Sequence, residues 1–156
     1  MMPDPLVADV ARLAFLDRQS IPLAVPLSAI EACNLIKSQP VPGLGMAMRL
    51  RDAISSRFGV RRIGGFSSKQ AELPQVGDRL DFFLVEQSLP DLLVLTERDR
   101  HLDVMTCIST ANGCLAITTS VVTHNLFGRL YMIPVAPAHR MIVAWMLRRV
   151  AGRLRA

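Results

Sequence analysis

Between Asp81 and His124 the chain alternates apolar and polar residues with a period of two, and a helical pattern follows it almost to the C-terminus. That sequence of patterns leaves few architectures open. Asp81–Glu86 reads as a strand, Ser88–Asp91 as a turn around Pro90, and Leu92–Glu97 as the returning strand. His101–Thr110 and Cys114–His124 form a second pair across Ala111-Asn112-Gly113, where Asn-Gly tolerates the positive φ that a tight hairpin needs. Four strands so joined make an antiparallel meander, which commonly has one buried and one wetter face. Phe127–Leu154 then predicts a long helix, opened by Gly128 and bent or restarted at Pro134 and Pro137, so that regular helix is expected mainly from Pro137 onward. Its apolar stripe is expected through Met141, Ile142, Trp145, Met146 and Val150, with Arg140, Arg148 and Arg155 near the opposite side.

The first 76 residues carry a different signal. Leu6, Val7, Val10, Leu13 and Ala14 have helical spacing, predicting a short N-terminal helix or ordered arm over residues 1–18. Ile21–Val25 is a brief β-like run between Pro22 and Pro26. Ser28 with Glu31 three residues later is a capping box for a helix through about Lys37. Pro40, Pro42 and Gly43 separate it from a second helix near Gly45–Phe58, ended by Gly59. From Val60 to Val76 the pattern fades into a loop, with one short strand expected around Arg61–Phe66. At 156 residues the chain suits one domain. Helices, meander and long C-terminal helix describe an α+β layout in which helix lies across sheet.

Charge is distributed unevenly. Residues 1–103 hold 12 basic and 13 acidic residues, whereas residues 104–156 hold six Arg and no acid. The net +5 therefore belongs to the last segment, at Arg129, Arg140, Arg148, Arg149, Arg153 and Arg155. A polyanion, an anionic membrane or an acidic partner could use such an element, and a solvated helix end complementing the helix dipole could equally carry it. Nucleic acid is not expected, because aromatic residues are not interleaved with the Arg positions. Cys33, Cys107 and Cys114 are an odd count without a CxxC, which argues against a disulfide framework and for buried free thiols in a cytoplasmic protein. No secretory signal is legible, and Leu130–Leu147 is broken by His139, Arg140 and two prolines, so no transmembrane segment is expected.

Three motifs bring a resemblance. GDRLDFF (Gly77–Phe83), ERDRHLD (Glu97–Asp103) and THNLFGRLYMIPVAPAHRMIVAWMLRR (Thr123–Arg149) resemble the bacterial DUF2867 family over roughly residues 20–150. The HN-x-x-GR-x-Y run followed by P-x-HR is its most distinctive part. The family's function is unknown. The resemblance implies a helix-grip fold, like START and polyketide-cyclase proteins, in which a curved antiparallel sheet wraps the C-terminal helix. The five or six strands legible here are fewer than a full helix-grip sheet has. It also implies a possible reductase partner, since members occur fused to an epimerase-like reductase domain. This chain carries no GxGxxG after a strand and so no such domain of its own.

The residues able to do chemistry are few. His101 and Asp103 stand two apart, on one strand face continued by Met105 and Cys107, and would serve proton transfer if that face lined a cavity. They are the candidate catalytic pair, and the alternative is a surface pair beside Arg98 and Arg100. His124, Arg129, Tyr131, His139 and Arg140 gather near the strand–helix junction, where free N–H groups of a helix start would favour a carboxylate or phosphate; junction packing and capping is the alternative. Met105, Met141 and Trp145 are candidate apolar contacts for a ligand, since Met adapts to irregular spaces, although Met is also ordinary core filler. No HExxH, Cys/His knuckle or GxSxG occurs, so neither a metal, a cofactor nor a serine nucleophile is expected. The expectation is a cytoplasmic protein holding an apolar or amphipathic small molecule between sheet and C-terminal helix, with cyclase- or isomerase-like proton transfer conceivable there. A non-catalytic module docking on a reductase or other acidic partner is the alternative, and peripheral membrane association a third reading.

Overall fold

The computed structural model describes residues 3–56, 73–81 and 83–156. Among the described residues six strands form one antiparallel sheet: β1 (Phe15–Pro22), β2 (Arg79–Leu80), β3 (Phe83–Leu89), β4 (Leu92–Arg98), β5 (Leu102–Ser109) and β6 (Cys114–Thr123). Their spatial order is β1-β6-β5-β4-β3-β2. Two helices, α1 (Ala29–Lys37) and α2 (Leu44–Ser56), connect β1 to the far edge, and α3 (Leu126–Arg155) closes the chain. The curved sheet packed against a long C-terminal helix is a helix-grip-like arrangement. The expected strand at Arg61–Phe66 and the expected helix stop at Gly59 lie outside the described residues.

The meander follows the sequence closely. Pro90 and Asp91 alone separate β3 from β4, and Asn112 and Gly113 both take positive φ (57° and 70°) between β5 and β6. Ser28 caps α1 as expected: its hydroxyl accepts from the Glu31 N–H while the Glu31 carboxylate accepts from the Ser28 N–H. The Ser28 N–H and the Ser28 hydroxyl both donate to the Glu31 carboxylate and hold its pKa below the ordinary range.

Three expectations are corrected. Of the helix and the arm expected over residues 1–18, the arm forms and the helix does not: residues 3–14 form an arm with one 3₁₀ turn at Val10–Arg12, and Phe15 already begins β1. Edge pairing of β1 with β6 along eight residues outweighs the weak helical spacing, and Pro3 and Pro5 supply no backbone donors. The sheet's second face is not uniformly wet either. The arm crosses it, with Val7 N–H donating to Ser120 Oγ at 3.0 Å and Thr118 Oγ1 donating to Asp4 Oδ2 at 2.6 Å. Beneath it Val94, Met105 and Cys107 are buried with Val7.

The third correction concerns α3, which runs unbroken from Leu126 through both prolines. Its cap is Asn125, whose side chain accepts from the Gly128 N–H. Pro134 and Pro137 are exposed, as are Leu130 and Ile133. The carbonyls of Leu130 and Ile133, four residues earlier, lose their helical donors on this outward face, where water can replace them. The opposite face, with Met132, Val143, Leu147 and Val150 buried, holds the helix on the sheet.

Candidate functional site

A partly open cavity of about 470 Å³ lies between α1, α2, the sheet and α3. Each wall comes from a regular pattern. Odd residues of β4 and β6 and even residues of β5 face α3, so Leu95, Thr106, Ile108 and Ile117 form the floor. Leu80 and Phe83 continue it on β2 and β3. α1 contributes Cys33, Ile36 and Lys37, and α2 contributes Leu44, Met48, Arg49 and Asp52, residues that share one helix face. Val143 and Met146 of α3 form the third wall. The volume and the mostly apolar lining are those of a small-molecule pocket.

Its polar groups are clustered. Lys37 Nζ lies 3.1 Å from Asp81 Oδ2, and both side chains are only 10% exposed. Asp81 occupies the turn between β2 and β3 with φ 56°, a left-handed conformation that Asp tolerates better than most residues. Gln39, Arg49, Asp52 and Thr106 complete the polar set. Burial pushes the Cys33 thiol up to about 11, against the pull of the neighbouring Lys37 ammonium. Cys33 is therefore a neutral thiol near neutral pH and no nucleophile.

The residues expected from sequence lie elsewhere. Asp103 and Met105 face the arm side of the sheet, because cavity-facing β5 residues are the even ones. Asp103 pairs with His124 Nε2 (3.1 Å) and Arg98 (3.3 Å), an arrangement of the sheet's outer face. His101 is buried in the β4–β5 turn beneath the start of α3, its ring 4.6 Å from that of Phe127. Asn125 Nδ2 meets its Nδ1 at 2.8 Å and Arg100 Nε approaches its Nε2 at 3.3 Å; both groups are donors and a neutral ring accepts at one nitrogen only, so the shorter Asn125 contact is the hydrogen bond. The candidate catalytic pair is thus divided between a packed junction and a surface ion pair, and neither member lines the cavity.

The expected anion corner is also dispersed. Arg129 and Arg140 are 11 residues apart on an unbroken helix, about 16 Å along its axis. Arg129 is exposed, and Tyr131 stacks on Phe127 with centroids 6.4 Å apart. Arg140 lies over the Phe15 ring at 4.9 Å and 3.9 Å from Asp17. His139 packs edge-on against Phe15, and burial lowers its pKa, opposed by Asp17 and helped by Arg140. Trp145 is half-buried under the Arg149 guanidinium, and Met141 is 73% exposed instead of joining the inward stripe. Of the expected apolar stripe of α3, Met146 is the member that reaches the cavity. Among the described residues no three His, Cys, Asp or Glu side chains gather as a metal site.

Sequence reading missed Lys37, Asp81, Arg49 and Asp52. A usable signal existed on α2, where Leu44, Met48 and Asp52 recur every four residues, and on α1, where Cys33 and Lys37 do the same. Asp81 had no local signal, since only tertiary packing of the β2–β3 turn against α1 brings it to Lys37.

No curated protein and no solved structure matches the chain. A family model described as "Protein of unknown function (DUF2867)" matches residues 10–146, from the 3₁₀ turn through all six strands and into α3 as far as Met146. On that match, the chain belongs to the DUF2867 family.

Proposed function

We propose that this protein binds an amphipathic small molecule in the cavity between sheet and α3, in the manner of START-like helix-grip proteins. One observation carries the reading: an apolar cavity of about 470 Å³ whose wall holds a largely buried Lys37–Asp81 ion pair. Charges are costly to remove from water, and a pair retained in an apolar wall is suited to orient a polar group of a ligand. The apolar body of the ligand would lie on Leu95, Ile108, Ile117 and Val143, with a hydroxyl or carbonyl near the ammonium and carboxylate. Met48 and Met146 would adapt to its shape. Binding is the function these residues support. The protonated Cys33 thiol and the distant His101 and Asp103 supply no acid–base set to the cavity.

Anilinonaphthalene sulfonate fluorescence, displaced by oleate, tests the proposal. Met146→Trp fills the cavity and is expected to weaken probe binding at least about tenfold, a loss in scale with filling a well-packed site. Leu89→Gln, at the exposed end of β3 and away from both the cavity and α3, is expected to leave it unchanged. Equal fluorescence from Met146→Trp and the unsubstituted protein, with both folded by circular dichroism, would place the probe elsewhere and overturn the reading.

A further inference from the structure

Over residues 126–141 the face of α3 turned away from the sheet is apolar. Leu126, Leu130, Ile133 and Met141 are 67%, 56%, 69% and 73% exposed, with Pro134 and Pro137 exposed between them. At 3.6 residues per turn these six positions fall on one stripe, opposite Met132, Val143 and Val150. A contiguous apolar stripe, unlike scattered apolar side chains, marks a contact surface.

Charge indicates what the surface contacts. Arg129 and Arg140 border the stripe on one side, and Arg148 and Arg155 continue its line toward the C-terminus. Half-buried Trp145 stands where the apolar stretch gives way to the Arg stretch, with the Arg149 guanidinium 5.2 Å from its ring. No acidic residue follows Asp103. Pairing this face with a second copy of α3 would set Arg against Arg with no carboxylate on either helix. A convex ridge of apolar side chains flanked by guanidinium groups instead matches a lipid interface, which offers acyl chains to the ridge and phosphates to the cations.

We propose that the outer face of α3 is a docking surface for an anionic phospholipid bilayer. The helix lies in the plane of the interface, with Leu126, Leu130, Ile133 and Met141 at the acyl boundary and Arg129, Arg148 and Arg155 reaching the headgroups. By length and composition α3 is also apolar enough to cross a membrane, but crossing would strip Val143, Leu147 and Val150 from the core. The inference does not depend on a ligand in the cavity.

Sedimentation of the full chain with phosphatidylcholine vesicles, with and without phosphatidylglycerol, tests it. Binding is expected only to the anionic vesicles, with release by raised salt or by alkaline carbonate. Leu130→Gln combined with Ile133→Gln is expected to weaken binding at least about tenfold. Arg148→Gln combined with Arg155→Gln is expected to weaken it roughly thirtyfold and to flatten its salt dependence. Both double variants should melt with the unsubstituted protein, because the altered side chains face solvent. Absence of binding to anionic vesicles, or equal binding by the variants, would overturn the proposal. So would resistance to carbonate extraction, which would indicate a spanning helix, or a solution dimer that Leu130→Gln with Ile133→Gln dissolves, which would assign the face to a second copy.

Discussion

Gly128 is buried where α3 passes the β4–β5 turn, and a Cβ built on it would collide with the His101 carbonyl oxygen, with Thr123 Cβ at 3.3 Å behind. That carbonyl already accepts from the His124 N–H at 2.8 Å, so neither strand end nor helix can shift cheaply. Gly128→Ala is therefore expected to destabilise the fold by about 1–3 kcal/mol in urea denaturation, the usual cost of overpacking a tight site. His139 makes a second prediction. Burial between Phe15 and α3 lowers its pKa below the ordinary 6.5, and its Nε2 is buried without a hydrogen-bond partner. The unfolded chain thus binds the proton more tightly than the folded one. Stability is expected to be intact above about pH 6.5 and to fall as acid protonates the unfolded state below it. His139→Leu should flatten that fall in urea midpoints compared between about pH 7.5 and about pH 5.5. The histidines and glycine of the C-terminal motif were legible as distinctive residues, but the structure puts Gly128 and His139 against the sheet and His124 beside Asp103 on its outer face; identity does not reveal which sheet face or helix turn a side chain meets.

At the scale of elements, local signals were sufficient wherever the element satisfies its own backbone. The Ser28–Glu31 box, the Asn112-Gly113 turn and the Pro90-Asp91 turn each specify their geometry within four residues. Where partner strands or packing decide, local signals failed. The N-terminal residues have helical spacing yet spread over the sheet, because Asp4, Pro5 and Val7 find partners in Thr118, Cys107 and Ser120 more than 100 positions away. The arm's importance to that face is open to measurement. Burial, helped by Asp4, pushes the Cys107 thiol up to about 12, and Cys107 Sγ donates to the Pro5 carbonyl at 3.1 Å. Removing residues 1–9 is expected to expose Cys107, so that dithionitrobenzoate titration under native conditions finds it reactive together with the exposed Cys114. In the full chain Cys114 should react alone, with Cys33 and Cys107 protected.

Across the whole molecule, the fold places two features on the two sides of α3. The inward side closes a cavity with α1 and α2, and the outward side presents an apolar stripe ending in arginines. One 30-residue helix serves both, which is why its apolar residues do not sort into a single stripe. The sequence by itself determined the meander, its turns, the α1 cap, the α+β layout and the confinement of excess charge to the C-terminal helix. These follow from period, turn chemistry and composition, all of which act over a few residues. Only the tertiary structure decided that Lys37 meets Asp81, that Asp103 and Met105 turn away from the cavity, and that Met141 faces solvent. The physical reason is that side-chain parity on a strand and angle on a helix fix which residues share a face, but the docking of helix on sheet fixes which face is inside.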